Sequence, residues 1–242
     1  MSHSAITRRL DQVIEIEHLH KRYGDVVAVD DVSLTIAPNE IFGIIGTNGA
    51  GKTTTVECLT GVRKPDGGRI SVLGFDPVTQ RDEIRARVGV QLQAGNLPDR
   101  LSVFEALDLY ASFYLDPRDP DDLIELLGLS HRRDARYGKL SGGEKQRVSV
   151  GLALIGNPRI AVLDELTTGL DPHARREVWT LIERLKANGL TVVLVTHFMD
   201  EVERLCDRVA VIHQGRVVAL DTPANLAEHG RLEDAFVELT TA

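Results

Sequence analysis

Gly46-Thr47-Asn48-Gly49-Ala50-Gly51-Lys52-Thr53 follows the pattern G-x-x-x-x-G-K-[ST], the phosphate-binding P-loop. The apolar run Ile41-Phe42-Gly43-Ile44-Ile45 leads into it and reads as a buried strand. Behind it, Lys52 to Thr60 reads as a helix closed by Gly61, a residue that tolerates the left-handed position after a helix end. A glycine-rich turn carrying a surface lysine would lack these flanks. The glycines at 46, 49 and 51 let successive backbone N–H groups curl toward one point, and the helix N-terminus adds partial positive charge. Lys52 would reach the β- and γ-phosphates of a nucleoside triphosphate, and the Thr53 hydroxyl would ligate Mg²⁺.

Outward from this stretch the chain reads as α/β. Toward the N-terminus, Ile14 and Ile16 alternate with Glu15 and Glu17, and Val32, Leu34 and Ile36 alternate with Ser33 and Thr35. Both segments predict half-exposed, antiparallel strands. Tyr23 falls in Lys21-Arg22-Tyr23-Gly24 between them, either as a core residue or as an exposed platform for a base. Ile70 and Val72 suggest a further short strand.

From Ala94 to Pro158 the texture becomes helical. Ser102 with Glu105, and Ser141 with Glu144, have capping-box spacing. Asp116 to Asp122 reads as an acidic loop, Leu123 to Leu127 as a short helix, and the helix after Ser141 is expected to turn Val148, Leu152 and Ile155 inward. The α/β pattern then resumes. Ile160-Ala161-Val162-Leu163 is a buried strand ending in Asp164-Glu165. Asp171-Pro172 opens a helix with Asp at the N-cap and Pro at N1. Thr191 to Thr196 is a strand followed by His197, and Arg208–Ile212 with Arg216–Leu220 forms a hairpin. Asp164 at a strand end is placed to hold Mg²⁺, and Glu165 beside it to orient or deprotonate a water.

Together these motifs resemble the ATP-binding cassette (ABC) ATPases, from about Val13 to about Leu239. The most specific is Leu140-Ser141-Gly142-Gly143-Glu144, similar to the family signature L-S-G-G-Q. The resemblance implies a P-loop NTPase core with an antiparallel β subdomain and an inserted α-helical signature subdomain. It places one ABC domain over 13–222, with 13–93 and 158–222 as core, 94–157 as the helical part, and 223–242 as a short helical tail. It implies ATP and Mg²⁺, with nucleotide contacts from Tyr23 and from Gly46, Thr47, Asn48, Gly49, Ala50, Gly51, Lys52, Thr53 and Thr54. Thr53, Gln93 and Asp164 would ligate the metal; Glu165, His197 and Gln93 would serve hydrolysis; Gln91 lies close enough to Gln93 to compete for that role. Ser141, Gly142, Gly143 and Glu144 would meet the ATP on the opposite subunit, with Asp171 crossing the dimer interface. Glu144 replaces the usual Gln, and Leu166 stands where the family has Pro.

Composition bounds the partners. At 242 residues, 43% hydrophobic and 26% charged, the chain is ordinary for a globular protein, and its net charge of −8 argues against a general nucleic-acid surface. Two distant cysteines, Cys58 and Cys206, make no metal knuckle and suit a reducing compartment. No apolar run nears the ~18–20 residues of a membrane span. The expectation is thus an ATPase subunit that dimerises, or pairs with a second cassette, and docks on separate permease subunits at the cytoplasmic face of a membrane. Leu97, Phe104, Tyr110, Phe113 and Tyr114 offer groups for that contact, with Leu97 and Phe104 the foremost. Thr167 to Pro172 and Leu232 to Phe236 resemble the drug-resistance (daunorubicin-type) exporter branch. The alternative is a soluble ABC ATPase acting on the ribosome or nucleic acid. It is opposed by the single P-loop, the lack of sustained heptads, the two cysteines and the acidic charge.

Overall fold

The computed structural model describes residues 12–91, 97–227 and 230–241, and the Gln93 assignment lies outside them. In chain order the elements are β1 (Ile14–Tyr23), β2 (Val26–Ile36), β3 (Ile41–Gly46), α1 (Lys52–Leu59), β4 (Gly67–Val72), α2 (Arg81–Arg85) and β5 (Val88–Gln91). There follow α3 (Val103–Ala111), α4 (Pro120–Leu126), α5 (Gly142–Leu154), β6 (Ile160–Asp164), α6 (Pro172–Ala187), β7 (Thr191–Val195) and α7 (Met199–Leu205). The chain ends with β8 (Arg208–His213), β9 (Arg216–Asp221), α8 (Pro223–Leu226) and α9 (Leu232–Thr241). They fall into two compact units, one taking the chain up to Arg85 and again from Thr191, the other Ala86–Leu190.

In the first unit, β1 pairs antiparallel with β2 and with β4, in registers Ile14↔Ile36 and Ile14↔Val72. The alternation read at Ile14 and Ile16 buries both on one face, whereas β3 is buried along its whole length. The reason is pairing. β3 runs parallel to β7 on one edge and to β8 on the other, and a parallel strand covered on both faces needs a continuous apolar run. Its isoleucines Ile41, Ile44 and Ile45 are each essentially buried, worth about 1.5–3 kcal/mol apiece against exposure. β9 closes the β8 hairpin antiparallel, and α1 packs on β2, β3 and β4.

In the second unit, β5 and β6 pair in parallel, with Gln91 opposite Leu163. α5 packs against both strands and against α3 and α6. Capping chemistry sets the helix starts as the sequence implied: Ser102 and Ser141 form complete capping boxes, and Asp171 caps α6 with Pro172 at N1. Two expectations change. The acidic segment 116–122 is not all loop, because Asp119 caps α4 and Pro120 opens it. On α5, Leu152 is only half-buried, while Glu144 and Arg147 lie inside through their polar partners Ser141, Arg132 and Glu177.

Candidate functional site

The first unit carries the P-loop between β3 and α1. A Cβ on Gly46 would stand 2.2 Å from the Ile212 carbonyl oxygen, and one on Gly51, at φ 106°, would stand 2.3 Å from the Ala28 carbonyl oxygen. No side chain fits at either place, so the glycines let the loop press against β8 and β2. The starts of α3, α5 and α6 are capped by side chains, whereas α1 begins at Gly51 with no side-chain cap and has no acid in its first turn. Its leading N–H groups and its dipole are left open to an anion, with no carboxylate of the first turn to occupy them. Thr47, Asn48, Gly49 and Thr53 are exposed, Ala50 is buried and Thr54 half-buried. Lys52 is only 9% exposed, and its Nζ donates to the carbonyls of Gly46 and Thr47 at 2.8 and 3.0 Å. A buried ammonium satisfied by loop carbonyls is a positive charge set into the loop wall.

Two flanking residues share this unit. Tyr23 ends β1 and is 39% exposed, with Lys21 Nζ 5.5 Å and the Arg63 guanidinium 5.3 Å from its ring centroid. Of the two readings open for Tyr23, the core is excluded. The strand paired to it, β2, is the one whose Ala28 carbonyl abuts Gly51, which ties the aromatic hairpin to the loop. His197 is exposed, its ring 4.1 Å from that of Phe198. Ile44 and Val195 are register partners, so His197 and Gly46 leave the sheet at the same strand-end edge. Carboxyl ends of parallel strands are where open α/β sheets bind ligands.

The second unit carries the acids and the signature. Asp164, buried at the end of β6, donates its backbone N–H to Gln91 Oε1 at 3.1 Å. That contact gives Gln91 a bracing role between neighbouring strand ends. Glu165 is half-buried and left-handed at φ 49°, followed by a turn in which Thr168 N donates to the Glu165 carbonyl at 3.3 Å. Such a backbone costs on the order of 1 kcal/mol and is concentrated at functional sites. Leu166 is fully buried, which accounts for an apolar side chain there.

At the signature, Ser141 and Gly142 are exposed, and Ser141 Oγ accepts from Glu144 N at 3.3 Å while Glu144 Oε2 accepts from Ser141 N at 2.7 Å. Gly143 is buried, its place for a Cβ 2.8 Å from Ala174 Cβ, so the start of α5 lies directly on α6. Asp171 Oδ1 accepts from His173 N and Ala174 N at 2.9 and 3.1 Å, and those N–H groups hold its carboxyl below the usual carboxylate range. Arg132, which sequence spacing did not single out, donates to Glu144 Oε1 at 2.7 Å.

The donors present suit a metal brought with its nucleotide. Among the described residues no group of three or more His, Cys, Asp or Glu could hold an ion alone. Mg²⁺ is commonly held by one or two protein oxygens plus phosphates and water, which the Thr53 hydroxyl and the Asp164 carboxylate can each serve.

The family model described as "ABC transporter" matches residues 29–168. The Nod factor export ATP-binding protein I of Burkholderia thailandensis is 43% identical over 220 residues, spanning 89% of this chain and 72% of that protein. Among solved structures, cbiO1 from Clostridium perfringens, part of the ABC transporter complex cbiONQ, superimposes with a TM-score of 0.83 at 28% identity, over 90% of this chain and 92% of that one. A dimeric ATP-binding cassette in a post-hydrolysis state, bound to ADP and phosphate, gives 0.76 at 25% identity over 86% and 98%. The chain belongs to the ABC transporter family as an ATP-binding subunit that hydrolyses ATP to drive transport.

Proposed function

We propose that this chain powers export through a separate membrane-embedded partner, acting as a pair of cassettes in which the signature end of one copy meets the ATP on the P-loop of the other. One observation carries the pairing. Among the described residues the start of α1 is bare, and the start of α5 exposes Ser141 and Gly142 of the signature. Among the described residues no helix is long and apolar enough to cross a membrane, so the conduit is assigned to another chain at whose cytoplasmic face this one sits. Export is favoured by the name of the Burkholderia relative. Thr167 to Pro172 and Leu232 to Phe236 support the narrower drug-resistance reading.

In this reading Lys52 and the α1 N-terminus hold the phosphates, Tyr23 stacks on adenine, and Thr53, Gln93 and Asp164 ligate Mg²⁺. When bound, Mg²⁺ offsets the charge of the phosphate oxygens. Glu165 accepts the proton of the attacking water, and His197 holds the γ-phosphate in line with it. Asp171 lies at the contact between copies.

The surface for the partner shifts relative to the sequence expectation. Phe104 is half-buried, its ring 3.9 Å from the Arg133 guanidinium, and Leu97 is only partly exposed. In this segment the open apolar groups are Leu109, Leu115 and Phe113, the last 71% exposed. We assign the docking contact to these three. Tagged Glu165→Gln protein, recovered with Mg-ATP from detergent-solubilised native membranes, is expected to bring down a multi-span membrane protein in stoichiometric amount. Recovery of soluble partners alone would overturn the reading.

Tyr23→Ala is expected to raise KM for ATP about tenfold with little change in kcat, since base–aromatic stacking is worth ~1–3 kcal/mol. Tyr23→Trp should restore it. Steady-state ATPase assays decide; an unchanged KM in Tyr23→Ala removes the stacking role.

A further inference from the structure

We propose that Arg132 is a positioning residue for the signature end of α5, neutralising the Glu144 carboxylate so that this end still receives a phosphate. The inference rests on the reading of Ser141–Gly143 as a phosphate-receiving helix end. A helix N-terminus offers the equivalent of about half a positive charge. Glu144, an acid in the first turn, places a full negative charge beside it where the family signature has a neutral glutamine. Left alone, the carboxylate would outweigh the dipole and repel the phosphate.

The structure supplies the correction. Glu144 is 7% exposed, and its two oxygens are divided between tasks. Oε2 accepts from Ser141 N at 2.7 Å and completes the helix cap, as a glutamine carbonyl could. Oε1 accepts from Arg132 Nε at 2.7 Å, from the short helical turn Ser130–Arg132. His131 Nε2, on the same turn, lies 3.7 Å from Oε1. Burial alone would push the Glu144 carboxyl up; the Ser141 backbone N–H, Arg132 and the Ser141 side chain more than offset it and hold it below the usual range, so the carboxylate is ionised and the pair is charged. The net charge of the pair is zero, which leaves the dipole to act.

A four-protein cycle tests this: wild type, Arg132→Ala, Glu144→Gln and the double variant, each assayed for kcat and KM of ATP hydrolysis. Arg132→Ala is expected to lower kcat/KM about fivefold when Glu144 is present, the scale of one hydrogen bond to a charged group discounted for partial exposure. In the Glu144→Gln background the same change should cost less than about twofold, because no carboxylate remains to be neutralised. Arg132→Lys should recover part of the loss. A purely structural role for the 130–132 turn would lower activity equally in both backgrounds, and that result, or no loss in either, overturns the proposal. Lys52→Ala, run alongside, separates the two levels: if it abolishes hydrolysis while Arg132→Ala behaves alike in both backgrounds, only this inference falls. If Lys52→Ala hydrolyses ATP normally, the reading of the site falls and this inference with it.

Discussion

Glu165→Gln lowers ATP turnover by about 10²–10⁴-fold while ATP binding persists, the expected loss for removal of a general base. Gln matches Glu in size and can take the same half-buried place, but its amide cannot accept the water's proton. The left-handed backbone at φ 49° argues that the position of this side chain is imposed by its surroundings. Fully buried Leu166 on one side and the turn from the Glu165 carbonyl to Thr168 N on the other fix it there. In the proposed reading ground-state binding rests on the P-loop, so the variant should trap ATP rather than lose it. Under the proposed pairing, cassettes blocked at chemistry would not reopen, and a dimer should accumulate with Mg-ATP in light scattering coupled to gel filtration. Turnover at the wild-type rate would remove Glu165 from the catalytic role. A variant that stays monomeric with saturating ATP would count against pairing through the signature.

What the sequence disclosed of this machinery is local. Capping boxes at Ser102 and Ser141 and the Asp171-Pro172 start could be read because three or four consecutive residues hold their whole chemistry. Asp119-Pro120 carries the same signal as Asp171-Pro172, yet the surrounding acids and prolines disguised the first turn of α4 as loop. β3 was legible as buried, but that β7 and β8 flank it was not, since register is a matter of contacts more than a hundred residues apart in sequence. The same holds for the reason behind Gly51, which needs the Ala28 carbonyl, and for Arg132, twelve residues before Glu144 across a turn. Inward polar residues such as Arg147 escape any binary pattern, because what makes burial tolerable is a partner, here Glu177 at 2.5 Å. Exposure of Phe113 over Phe104 likewise follows from a guanidinium laid on the latter ring.

Lys52→Ala is expected to weaken ATP binding about a hundredfold, through loss of charge-assisted hydrogen bonds to phosphate worth ~1.5–3 kcal/mol each. In the structure the ammonium is already desolvated, held by the Gly46 and Thr47 carbonyls at 2.8 and 3.0 Å. Much of the ordering cost of placing it is thus met before a nucleotide arrives, which makes its removal costly to affinity. Arginine is no substitute, for its planar fork cannot sit where a compact point charge fits against two carbonyls. The thermal shift produced by ATP is the readout. At an ATP concentration about one hundred times the wild-type Kd, binding should stabilise the wild type by about 2.7 kcal/mol, and a hundredfold weaker variant by only about 0.4 kcal/mol. The increment matters more than the melting temperature itself, since stripping Gly46 and Thr47 of their donor will move the nucleotide-free value as well. Glu165→Gln should keep the full increment and lose turnover; Lys52→Ala should lose the increment and turnover with it. An undiminished ATP shift in Lys52→Ala would mean that the loop from Gly46 to Thr53 does not hold the phosphates.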